Sequence, residues 1–228
     1  MLILAPLLMS AHTAFAADVT KNVGKDTLDI GVLKDSEVKV VQKMLYRKEG
    51  ALELGAHLGV MPFDAYTVTP LAAVTGTMHF SDTMAAELQV GGGYGLSSAT
   101  WEKLNSATYG VAVESYRYLA SAEVDIQYTP IYGKMNFGGK KVVHDDVYVL
   151  AGAGLTVESS MLPAGDLALA PTIPVGVGIR VFATKKSLLR FELRDNVMIE
   201  HHAQSDEWEP KQNAVLSVGL SLLSGGKQ

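Results

Sequence analysis

The sequence contains no cysteine, which excludes disulfides, thiolate chemistry, cysteine-ligated metal sites and the lipidated cysteine of a lipoprotein anchor. After the first residues it has no apolar run long enough for a membrane-spanning helix. It has no excess of positive charge either. Lys and Arg total 19 against 24 Asp and Glu, a net charge of −5 that argues against a nucleic-acid partner. No phosphate loop, metalloprotease motif or dinucleotide fingerprint occurs, and no cofactor or metal is expected; weak metal binding by the paired His201 and His202 is an alternative reading of those residues.

What is present is unusual for a soluble chain. Hydrophobic residues make up 48% of the 228 positions and charged residues 19%. High apolar content without a long apolar run is what alternating, lipid-facing strands produce. The 22 glycines suit curved, close-packed strands and tight turns.

Met1 to Ala16 has the form of a secretory signal peptide, with an apolar stretch and the small-x-small ending Ala14-Phe15-Ala16. Residues 17–49 read as a polar periplasmic lead, followed by a basic amphipathic helix from about Asp35 to Lys48. Residues 50–224 form the main domain, and residues 225–228 a tail.

The main domain is written in a period of two. In the last segment, Asn213 to Leu223, Leu216, Val218, Leu220 and Leu222 share one face with Ala214. Val215, Ser217, Gly219 and Ser221 share the other. Similar double rows begin at Gly50, Leu71, Met84, Ala120, Asp146, Thr172 and Leu189, which makes about eight strands. Short turns at Ser81 to Thr83 and Ala183 to Ser187 mark the periplasmic side. Loops are expected at Met61 to Pro70, Gly95 to Leu119, around Pro163 and Pro171, and at Glu200 to Gln212, with a long periplasmic turn from Gly133 to Asp145. Trp101, Tyr109, Tyr116 and Tyr118 fit an outer aromatic girdle or the loop that carries them, and Tyr132 falls in an outward row. A lone strand cannot live in lipid, because its unpaired N–H and C=O groups each cost several kcal/mol, so the last strand must close on the first. The expected fold is all-β: an antiparallel up-and-down transmembrane β-barrel of about eight strands with a short N-terminal periplasmic helix. A soluble lipocalin-like barrel would put the apolar row inside. The glycine-and-charge composition of the other row favours the membrane form.

The inward row carries Glu53, Glu87, Glu123, Asp125 and Glu192 against Arg180, Arg190 and Arg194. An eight-stranded barrel is just wide enough for side chains to fill. Buried charges must pair, so these residues predict a lumen plugged by ion pairs, with Arg180 and Arg190 near Glu53, Glu87 and His79. A narrow pore is the alternative reading of the same residues. A second alternative is a lipid-modifying outer-membrane enzyme, for which His201, His202 and Ser205, beside Asp206 and Glu207, are the nearest thing to a nucleophile and base. A solvated loop is the simpler account of that cluster, and no enzymatic activity is expected. Partners are outer-membrane lipid and lipopolysaccharide, and envelope proteins reached through the external loops or the periplasmic helix.

Glu37 to Tyr46, then Arg47 to Gly50 and Leu52 to Leu54, resemble the opening of the outer membrane β-barrel domain family of myxobacteria and related deltaproteobacteria. Tyr132 to Lys134, Val143 to Tyr148 and Ala151 to Gly154 are similar to its middle, and Gly176 to Arg180 with Arg190 to Asp195 to its penultimate hairpin. The resemblance spans about Ser36 to Leu223. It implies the barrel fold, an outer-membrane address and a role in an envelope assembly such as gliding machinery.

Overall fold

The computed structural model describes residues 47–106, 109–110, 114–137, 141–161, 164–202 and 206–225. The signal peptide, the lead and the tail from 226 onward lie outside the described residues. So does the predicted N-terminal helix except for its last two residues. Those two, Arg47 and Lys48, are not helical and lead into a turn at Glu49 and Gly50.

Nine strands are described: β1 (Ala51–Met61), β2 (Thr67–His79), β3 (Met84–Gly93), the two-residue β4 (Leu96–Ser97), β5 (Tyr116–Phe137), β6 (Lys141–Met161), β7 (Ala164–Phe182), β8 (Ser187–His202) and β9 (Glu207–Gly225). Eight of them form a ring in which each pairs antiparallel with its neighbours in sequence. β1 lies against β2 on one side, as in Ala56 opposite Val74, and against β9 on the other, as in Ala56 opposite Leu220. The ring therefore has no open edge, the condition under which strands satisfy their backbone groups in lipid.

The two faces of the wall explain why it closes this way round. Leu54, Leu58, Val74, Leu88, Val124, Ile126, Ile173, Leu193, Leu220 and Leu222 point out and are exposed. Glutamates, arginines, threonines and histidines point in and are buried. The apolar core is correspondingly small, a cluster of Met61, Tyr118 and Val215 with Leu71 against it. A continuous apolar exterior around a charged interior is stable in a bilayer and inverted for water, so the fold is an eight-stranded transmembrane β-barrel.

Several expectations from the sequence need correction. Gly133 to Asp145 is not a long turn: β5 and β6 stay paired down to Phe137 and Lys141, and form a two-stranded ribbon beyond their other neighbours. The loops expected around Pro163 and Pro171 and at Glu200 to Gln212 are largely strand. Pro171 lies opposite Leu155, and His202 opposite Glu207. Pro70 likewise sits inside β2, paired with Val60, and its carbonyl accepts the Tyr94 N–H. Gly95 to Leu119 holds β4 and a short helix, α1 (Ala99–Leu104), whose first turn is capped by Ser98 Oγ accepting from Trp101 N–H. Pattern reading stopped where alternation weakened, whereas backbone pairing continued.

The last correction concerns aromatics. Tyr116 and Tyr118 are buried inside the barrel mouth rather than placed in an outer girdle. A register shift between Tyr118 and Ala120 is the cause: one extra residue in a strand flips the parity of everything before it. A second shift between Tyr128 and Ile131, around Pro130, does the same at the other end. It leaves Ile131 outward and turns Tyr132 half-inward against His144.

Candidate functional site: the lumen

Strand parity and register bring all eight sequence-predicted lumen residues, Glu53, Glu87, Glu123, Asp125, Arg180, Arg190, Glu192 and Arg194, into one buried cluster. Arg190 lies at its centre, with no solvent exposure. Its guanidinium grips Glu87 with both ends, Nη1 at 2.6 Å and Nη2 at 3.2 Å. It also reaches Glu53 at 3.3 Å and Glu192 at 3.0 Å. A planar fork of donors suits such a site better than an ammonium would.

Arg194 continues the network toward the end that carries the 94–115 segment. It donates to Glu123 at 2.5 Å, to Asp125 at 2.8 Å and to Glu192 at 3.0 Å. Asn196 Nδ2 donates to the free side of Glu123 at 3.1 Å. Arg180 continues it toward the short-turn end, with Glu53 at 3.3 Å, Asp146 at 3.6 Å and a hydrogen bond to Gln127. His79 Nε2 meets Glu53 at 3.0 Å.

Three members of the cluster escaped the sequence reading as ion-pair partners. Tyr148 is the hinge of the network. Its ring carries Arg180 at 4.0 Å and Arg190 at 5.3 Å, and its hydroxyl donates to Glu192 at 2.6 Å while accepting from Arg190 at 2.9 Å. Asp146, two residues earlier on the same face, is fully buried beneath Arg180. Their shared parity was the available signal. Lys48 had none: it precedes the first strand, yet its ammonium enters the short-turn end of the lumen and pairs with Asp146. Asp82 Oδ1 ties this entry down by accepting the Lys48 and Glu49 N–H groups at 2.8 and 3.2 Å.

Glycines on the inward row make room for these side chains. A Cβ at Gly178 would stand 2.2 Å from Tyr148 Cζ, and one at Gly152 would stand 2.2 Å from Asp125 Oδ1. Six carboxyls (Glu53, Glu87, Glu123, Asp125, Asp146 and Glu192) thus face four cations (Lys48, Arg180, Arg190 and Arg194) across a barrel narrow enough for them to meet. Among the described residues no group of three or more acidic or histidine side chains is arranged to hold a metal ion.

The two histidines of the alternative catalytic cluster point different ways. His201 Nε2 lies 3.0 Å from Asp206 and its ring 4.8 Å from that of Trp208, in the exposed tip of the β8–β9 hairpin. His202 turns the other way, its ring 6.0 Å from that of Tyr116. Ser205 lies outside the described residues.

No protein-family model matches the chain, and no curated protein matches it. Solved structures similar to it include the N-terminal β-barrel domain of Pseudomonas aeruginosa OprF, with 12% identity over 77% of this chain and 98% of that one, at a TM-score of 0.49. Neisserial surface protein A gives 12% identity over 75% and 95%, with a TM-score of 0.45. The attachment invasion locus protein Ail of Yersinia pestis gives 10% identity over 77% and 99%, with a TM-score of 0.41.

Proposed function

We propose that this protein is an exported outer-membrane barrel that acts as a structural or docking element of the cell envelope and does not conduct. The observation that carries the reading is the Arg190 cluster: three arginines and their carboxylates cross the lumen and are almost fully buried. Ions would have to break several desolvated ion pairs to pass. The end with short turns at Ser81 to Thr83 and Ala183 to Lys186 faces the periplasm in this reading, and the opposite mouth faces outward. What the barrel offers to partners is then its outer mouth, its periplasmic β5–β6 ribbon and its lipid-facing wall. Lipopolysaccharide and membrane lipid cover the wall, and envelope proteins engage the two ends. Membership of the myxobacterial barrel family, and with it a place in an assembly such as gliding machinery, is the finer version of the same proposal.

Single-channel recording of the folded barrel in a planar bilayer tests it. Silence from protein verified as folded is the expected result. Steady openings would overturn the plugged-lumen reading and replace it with a pore.

A further inference from the structure

Tyr116 and Tyr118 point into the mouth, so Arg117 between them points out, onto the lipid-facing wall. Its guanidinium lies over the exposed ring of Tyr94, 5.5 Å from the centroid. Nη1 donates to Tyr94 Oη at 2.8 Å and Nη2 to Ser97 Oγ at 2.9 Å. An aromatic ring and two hydroxyls hold the group in place without neutralising it.

Arg117 differs in this respect from the other strand cations. Arg180, Arg190 and Arg194 face the lumen and each meets two or more carboxylates, while Lys211 meets Asp64 and Glu200. Lys134 and Lys141 belong to the β5–β6 ribbon, beyond the closed ring. Arg117 has no carboxylate within ion-pair distance among the described residues. Around it the wall is still apolar. Leu96, beside Ser97, is exposed, and so is Leu167, which pairs with Ser159 across from Arg117. An arginine and a tyrosine at the border of an apolar belt lie level with the lipid headgroups, where the available anions are lipid phosphates. The planar fork of a guanidinium matches phosphate oxygens.

The wall beneath supplies a seat for hydrocarbon. A groove of about 690 Å³ runs over β9, β1, β2 and β3, lined by Leu58, Ala72, Val74, Val90, Gly92 and Leu220. Gly92 is two residues from Tyr94 on the same face, about 7 Å along the strand. The groove therefore ends just below the guanidinium, and a chain lying in it brings its headgroup to Arg117.

We propose that Arg117 and this groove bind one lipopolysaccharide molecule. Arg117 donates to a phosphate of its lipid A, Tyr94 packs beside the headgroup, and an acyl chain lies in the groove. The inference rests on the reading above that this mouth faces outward, because lipopolysaccharide lies in the outer leaflet.

Native mass spectrometry of the full barrel, folded in detergent, against lipid A and the same lipid A stripped of its phosphates tests it. One retained lipid A per barrel is the expected result, with the stripped form held about tenfold more weakly. Arg117→Gln should weaken lipid A about tenfold and leave the stripped form unchanged, whereas Ala72→Leu, which fills the groove, should weaken both. Neither residue belongs to the lumen network, so both variants should fold, which their gel migration would verify. No retained lipid A, equal retention of the two forms, full affinity in either variant, or displacement by excess inorganic phosphate would overturn the proposal. Labelling of Tyr109→Cys on intact cells with a membrane-impermeant maleimide checks the orientation separately, since Tyr109 is exposed and the chain has no other thiol. Labelling without lipid A binding would remove the site and leave the envelope reading standing. Binding without labelling would turn the barrel over and remove lipopolysaccharide as the occupant.

Discussion

Arg190 shows what a single buried side chain does in an interior made of charge. Its guanidinium touches Glu53, Glu87, Glu192 and the Tyr148 hydroxyl at once, so removing it leaves three carboxylates buried near one another. Arg190→Met is expected to cost about 3–5 kcal/mol, read as a lower urea midpoint for unfolding from lipid vesicles. An unchanged midpoint would mean that the cluster fills space without stabilising the barrel. Gly178→Ala attacks the same cluster through shape. The new methyl would displace the Tyr148 ring from beneath Arg180, and overpacking of that kind costs about 1–3 kcal/mol. Pairing it with Tyr148→Leu should recover part of the loss, because the smaller side chain vacates the position that the methyl needs. On the other face of the wall, Leu220→Arg places a charge in the apolar belt, and the expected loss is about 2–4 kcal/mol in the same unfolding measurement.

Among the elements, the strands differ in how much of their length the ring uses. Thirteen-residue β2 and ten-residue β3 are paired along most of their length, whereas β5 and β6 run 22 and 21 residues. The last pair between β3 and β5 is Met84 with Tyr128, and the last between β6 and β7 is His144 with Phe182. The end of the β5–β6 ribbon therefore contributes nothing to closure. Replacing residues 135–143 by a two-residue Asn-Gly turn between Lys134 and His144 should leave the unfolding midpoint unchanged to within about 0.5 kcal/mol. A large loss would show that the ribbon packs back on the barrel. If the ribbon is a docking element, as proposed, the same variant loses its envelope partner while keeping its fold. Sequence patterning missed this ribbon because the register shift around Pro130 breaks the alternation where the ribbon begins, and its pairing shows only in backbone hydrogen bonds.

For the molecule as a whole, the decisive contact is the seam between the first strand and the last. β1 and β9 pair from Ala51 opposite Gly225 to Val60 opposite Leu216, and His57 lies directly over Gly219. A Cβ at Gly219 would stand 2.5 Å from the His57 ring, and Val there cannot be accommodated while the ring stays in place. Gly219→Val should slow or block closure during refolding into vesicles, seen as loss of the compact, fast-migrating band on a gel without boiling. Normal closure would show that the His57 ring can leave its position. The sequence by itself determined the wall. A period of two, with leucine and valine on one row and glycine and charge on the other, leaves only a closed barrel in lipid as a way to satisfy every backbone group. It also placed Glu53, Glu87, Glu123, Asp125, Arg180, Arg190, Glu192 and Arg194 on the inner face, because parity within a strand is a local property. Which charge meets which was decided by the tertiary structure alone. Pairing across the lumen depends on the stagger of all eight strands, on register shifts at Leu119 and Pro130 that local alternation does not announce, and on Lys48 entering from outside the strand pattern.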